Sequence, residues 1–166
     1  YTFLGVLPQR ELFVSTANAL LKAGDKERAL KILDKCQESM PENVWPLDAI
    51  PLGFSTNDYM VVNMVSAYFA AGAPEKAAEL GAKLGKELLA SAHFYMEYYE
   101  YAQDEFEKSC QFLYFLVDEL EKGGDKKVSA ELKHSLVTLL RAGAEAYDQD
   151  YGNEADSTVA EDTSAK

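Results

Sequence analysis

The apolar positions of this chain recur at helical intervals, in pairs of runs separated by a glycine. Between Arg10 and Ala23 the apolar residues Leu12, Phe13, Ala17, Leu20 and Leu21 have helical spacing, and Ala29, Leu30, Ile32, Leu33 and Cys36 repeat it before Pro41. Gly24 lies between the runs and supplies the left-handed turn that a residue with a Cβ resists. Asp25 follows as an N-cap, and Pro41 cannot continue the second helix. The stretch 17–41 is therefore predicted as two short antiparallel helices. The punctuation returns at Gly72 and at Gly123-Gly124-Asp125. A helix capped by Asn57 or Asp58 runs to Ala71, and Pro74 opens its successor in the first turn, where a missing N–H is no loss. Leu113, Leu116, Val117 and Leu120 precede the third turn; Val128, Leu132, Leu136, Leu139 and Leu140 follow it. The pattern predicts an all-α domain over 1–147 with about three helix pairs, at 10–43, 58–91 and 104–147. The third pair is degenerate, with Ser129 where the others carry alanine, and suits a terminal cap whose outer face must be polar.

Four stretches fall outside this rhythm. Residues 1–9 read as a lead-in strand or coil ending at Pro8. The insert 44–57 has the prolines and glycine of a loop, yet carries Trp45, Leu47, Ile50, Leu52 and Phe54. So apolar a loop is expected to fold back onto the helices; the alternative is a binding loop that offers Trp45 and Phe54 to a partner. The helix opened by Pro74 meets no stop where the repeat should end, and a break is expected at Ala102 to Asp104. Nine of the 19 aromatic residues lie between Phe94 and Phe115. They are expected to pack with hydroxyls outward, the alternative being an aromatic surface patch for a protein or sugar. After Tyr147 the polar, acidic run 148–166 reads as a disordered tail.

Charge narrows the function. The net charge is −12, with −6 carried by residues 92–123 and −5 by 148–166. Phosphate contacts need clustered Lys and Arg, so neither a nucleic acid nor an anionic membrane surface is an expected partner. No run of 18 apolar residues occurs, so this region is not expected to insert into a membrane. The chain starts at Tyr1 rather than Met, which fits an excised region or a processed product. Cys36 and Cys110 sit among apolar residues and read as buried small hydrophobes, without a basic neighbour to activate a thiol. Glu131 with His134, and His93 with Glu97, are fragments of a di-iron pattern that requires a second Glu-x-x-His pair and two more glutamates. No metal, cofactor or catalytic residue is expected.

The first helix pair resembles the tetratricopeptide (TPR) repeat, a unit of about 34 residues with small residues at its eighth and twentieth positions, glycine at the fifteenth and proline at the thirty-second. Ala17, Ala29, Gly24 and Pro41 occupy those positions, and Val65, Gly72 and Ala77 take the corresponding ones in the second unit. The resemblance implies antiparallel pairs stacked as a short right-handed solenoid. Its concave groove would be lined by the first helix of each unit: Val14, Asn18, Leu21 and Lys22, then Tyr59, Val62, Asn63, Ser66 and Phe69. Asn18 and Asn63 match asparagines that grip a peptide carboxylate in some TPR modules, but Val14, Gln111 and Phe115 replace the accompanying cations. A mixed polar and apolar peptide groove is therefore expected, with Asn18, Lys22, Tyr59, Asn63, Ser66 and Phe69 as candidate contacts.

The runs LLKAGDKERALKILDKCQESMPENV and VSAYFAAGAPEKAAEL are also similar to the C-terminal soluble region of a family of large bacterial membrane proteins with an O-mannosyltransferase-like N-terminal part. That resemblance implies a region facing the periplasm at the inner membrane, tethered through upstream spans, with any transferase chemistry outside it. The function expected is non-catalytic binding or scaffolding of a protein or peptide. The alternative is a small helical ligand carrier or enzyme built on the Tyr-rich helices.

Overall fold

The computed structural model describes the backbone of residues 2–47 and 56–161, and side-chain surroundings for 9–47 and 59–147. Among the described residues the protein is all-helical: α1 (Thr2–Lys22), α2 (Lys26–Ser39), α3 (Thr56–Ala71), α4 (Pro74–Glu97), α5 (Tyr99–Gly123) and α6 (Lys126–Glu161). No described helix is long and apolar enough to cross a membrane.

The three glycine turns close in the same way. Gly24, Gly72 and Gly124 have φ of 81°, 85° and 89°. The N–H of the next residue (Asp25, Ala73 or Asp125) reaches back to the carbonyl of Leu20, Tyr68 or Leu120, in each case at 2.9 Å. This closure satisfies a terminal helix carbonyl and reverses the chain. Asp25 and Asp125 then cap the next helix, their Oδ1 atoms accepting from the N–H of Arg28 at 3.1 Å and of Val128 at 2.9 Å. Ala73 has no side chain to cap with, and Pro74 fills the first turn instead.

Packing is sequential. α1 lies against α2 and α3, α2 against α3, α3 against α4 and α5, α4 against α5 and α6, and α5 against α6. Small residues permit the approach: Ala17, Ala29 and Ala77 are fully buried and Ser129 nearly so. A Cβ on Gly81 would meet Leu120 at 2.9 Å, and one on Gly85 would meet Leu132 at 2.6 Å. The leucines of α5 and α6 thus seat directly on α4 backbone, which accounts for glycine at 81 and 85. Around these contacts Leu33, Leu80, Leu84, Leu88, Leu113 and Leu116 form one continuous core.

A polar bridge crosses three helices. The Gln37 amide donates to the hydroxyl of fully buried Tyr68 at 2.6 Å, that hydroxyl donates to Asp34 at 3.2 Å, and Lys76 meets both Asp34 oxygens at 2.7 Å. It gives the Tyr68 hydroxyl the partners that a buried polar group needs.

Several expectations change. Residues 2–9 are not strand or coil, because α1 already begins at Thr2 and carries Pro8 within it; proline there removes one N–H from the ladder without ending the helix. Leu12, placed on the apolar face by its spacing, is exposed, the buried stripe being Arg10, Val14 and Ala17. The break expected at Ala102 to Asp104 is present, Ala102 having non-helical φ and ψ of −133° and 31°, and a second at Tyr98 separates α4 from α5. The first turn of α5 therefore precedes the expected start of the third unit at 104. The α6 backbone runs on to Glu161, through much of the stretch whose composition predicts a disordered tail. The outer face of the third pair is mixed: Lys133, His134, Thr138 and Arg141 are exposed, and so are Tyr114, Val137, Leu140 and Tyr147. Cys36 and Cys110 are buried and free.

Candidate partner-binding groove

α3 lies between α1 and α5, and its sequence decides which face it shows. Val61, Met64, Val65 and Tyr68 follow at three- and four-residue intervals and are buried. The opposite face then presents Tyr59, Asn63, Ser66 and Ala70, again one per turn. Tyr59 is 47% exposed, Asn63 and Ser66 are half-buried, and Ala70 is open. Of the candidates on α3, the structure aligns Tyr59, Asn63 and Ser66 in one stripe. Phe69 lies off that stripe: its ring packs at Gly123, where a Cβ would collide with it. Phe69 serves the joint between α3 and α5 rather than an open surface.

On α1, Asn18 is half-buried and Lys22 exposed, one turn apart on the same flank. α1 packs on α3, so Asn18 and Asn63 belong to adjoining helices. Val14 does not line a groove, because it is 2% exposed in the core. Val62 is buried as well. The surface that remains is narrower and more polar than the spacing suggests: amides, hydroxyls, one ammonium and the tyrosine ring. These groups can hydrogen-bond a peptide backbone or polar side chains. They include no activated nucleophile or acid–base pair.

The described part of the insert folds back. The N–H groups of Val44 and Trp45 donate to the Pro41 carbonyl at 3.0 and 2.9 Å, and Trp45 packs half-buried against the core. Leu47 is buried, and its N–H donates to Glu87 of α4 at 2.8 Å. Lys83 ties Glu42 to the same helix at 2.7 Å. Trp45 is thus a packing residue; Phe54 lies outside the described residues.

The spacing argument missed one feature and held a second only as an alternative. One is a cavity of about 400 Å³ bordered by Arg10, Cys36, Gln37, Met40, Met64 and Leu80. Arg10 is 2% exposed, and the signal for it was its register with Val14 and Ala17, four and seven residues further on the same face. Burial pushes the Cys36 thiol up to about 11, although the Arg10 guanidinium draws it partly back. Cys110 is likewise pushed up to about 11 by burial, with Glu107 adding to the effect. Both remain protonated thiols at neutral pH, which suits packing and not nucleophilic attack. The other, an exposed aromatic patch, takes the form of a knuckle at the α4–α5 break. Phe94, Tyr98 and Tyr101 are exposed there, with the Phe94 and Tyr98 rings 5.2 Å apart. Phe94 and Tyr98 lie one turn apart at the end of α4, and Tyr101 follows beyond the break.

No family model, curated protein or solved structure matches this chain.

His93 and His134 are both exposed. Among the described residues, no three His, Cys, Asp or Glu side chains converge as a metal site.

Proposed function

We propose that this region is a non-catalytic binding or scaffolding domain that holds a protein or peptide segment against α1 and α3. The observation that carries the reading is the half-open stripe Tyr59, Asn63 and Ser66, beside Asn18 and Lys22 on the adjoining helix. A row of amides and hydroxyls that is partly desolvated but still reachable can pair with an extended segment at less desolvation cost than a fully hydrated row. Three identical glycine turns, with α1, α3 and α5 touching in succession, support a TPR-like solenoid of three pairs as the frame. Its context in this reading is the periplasmic face of a bacterial inner membrane, as an appendage of a glycosyltransferase-like membrane protein; the runs around Gly24 and Gly72 motivate that placement.

The test is Asn18→Ala combined with Asn63→Ala, compared with the unaltered region in a pull-down from solubilised membranes. Both side chains are half-buried at the surface and outside the core, so circular dichroism should be unchanged while the captured partner falls by roughly tenfold or more, as loss of two hydrogen bonds to a partner predicts. Equal capture by both proteins removes the groove assignment.

A further inference from the structure

We propose that the outer face of the α5–α6 pair is a self-association surface on which α6 packs antiparallel against α6 of a second copy. This goes beyond the groove, which is built from α1 and α3.

The first observation is the spacing on α6. Its buried residues Leu132, Leu136 and Leu139 face α4 and α5. Beside them run Val137, Leu140, Ala144 and Tyr147, three, four and three residues apart, and all four are exposed. Val137 is 41%, Leu140 52% and Tyr147 49% open. A three–four alternation of apolar residues is the seam of two helices packed side by side. Tyr114 of α5 lies alongside at 61% exposure and helps border a trough of about 320 Å³ together with Phe106, Cys110, Leu136 and Leu140. Ala144, in the middle of the stripe, is small enough for two helices to approach there.

The second observation selects the occupant and its direction. Two exposed charged residues, Arg141 and Glu145, lie one turn apart beside the stripe. A parallel copy would set like charge on like. An antiparallel copy centred between Gly143 and Ala144 sets opposite charges together instead. It brings Leu140 over Tyr147 of the partner subunit and Arg141 close to Glu145 of the partner subunit. The surface is thus complementary to itself, as a two-fold interface requires. Charge so arranged fixes partner and register more than it adds affinity.

Sedimentation equilibrium of the intact chain over the micromolar range tests this. The chain should sediment as a dimer, and Leu140→Glu should be a monomer with an unchanged circular dichroism spectrum, because Leu140 is already half open within one copy. Arg141→Glu and Glu145→Arg should each dissociate about tenfold more readily than the parent chain, since each sets like charges together. An equimolar mixture of the two should recover the parent affinity as a heterodimer. A parent chain that stays monomeric throughout, a Leu140→Glu dimer, or a mixture no tighter than its components would each overturn the proposal.

Discussion

In α4, Leu80, Leu84 and Leu88 point turn after turn into space closed by α3, α5 and α6, and all three are buried. In α6, Leu132, Leu136 and Leu139 are buried in the same rhythm, yet Val137 and Leu140 beside them lie open. Both helices follow the same glycine turn, and both carry a broad apolar arc. The difference is in neighbours: helices cover α4 from both sides along the chain, whereas the described residues cover α6 only from the side of α4 and α5. An apolar arc therefore measures the surface a helix is able to bury, while its neighbours determine how much is buried.

The largest expected effect separates the two helices directly. Leu84→Ala should cost about 2–5 kcal/mol in urea unfolding, because it removes a fully enclosed side chain and leaves a cavity. Leu140→Ala, measured dilute enough that copies do not associate, should stay within about 0.5 kcal/mol of the parent. Equal losses would mean that α6 is as enclosed as α4.

A smaller effect tests whether the three turns are equivalent. Gly24→Ala, Gly72→Ala and Gly124→Ala should each destabilise by about 1–2 kcal/mol, since each φ is near +85° and nothing lies within 4 Å of the added methyl. The cost is backbone strain alone and should be alike at all three sites. A turn that tolerates alanine freely would not be held in the left-handed conformation.

Tyr68→Phe should cost about 1 kcal/mol, with the fold intact, because Gln37 and Asp34 lose a common partner but keep access to water and Lys76. Between α5 and α6 the polar link is instead an exposed ion pair, Lys133 with Glu121 at 2.8 Å. The pH dependence sharpens the same contrast. Burial raises Cys36 and Cys110 to about 11, and burial together with the Asp34 charge raises Tyr68 well above its usual range, although its Gln37 hydrogen bond opposes the shift. The folded state thus binds these protons more tightly than the unfolded state. Their contribution is complete below the unfolded pKa values, near 8.5 for a thiol and about 10 for a phenol, and is lost as pH rises through the folded ones. The urea midpoint should fall between roughly pH 9 and 11, and Cys36→Ala with Cys110→Ala should flatten part of that fall. A midpoint independent of pH in this range would contradict the burial of these groups.

Much of the local structure was legible because it depends on few residues. Gly24, Gly72 and Gly124 mark their turns whatever surrounds them, and Asp25 and Asp125 cap the helices that follow. Small residues at Ala29, Ala77 and Ser129 foretold close approach, and all three are buried. The candidate site was legible only in outline. Spacing placed Asn63 and Ser66 on one face of α3 but could not separate them from Phe69, whose ring is taken up by Gly123 of a helix more than fifty residues away. It set Val14 in the groove and Leu12 in the core, the reverse of what the helices bury, because a stripe shifted by one residue has nearly the same period. Arg10, an isolated charge to the eye, lies inside.

The sequence by itself determined the helices, their turns and their caps, since these rest on φ preferences and hydrogen bonds within a few residues. The tertiary structure alone decided which apolar residues are core, that a second break falls at Tyr98, and which faces remain open. Those outcomes depend on volumes supplied by distant helices: Leu120 and Leu132 fitting onto Gly81 and Gly85, and Phe69 onto Gly123. Periodicity along one helix carries no record of what packs against it.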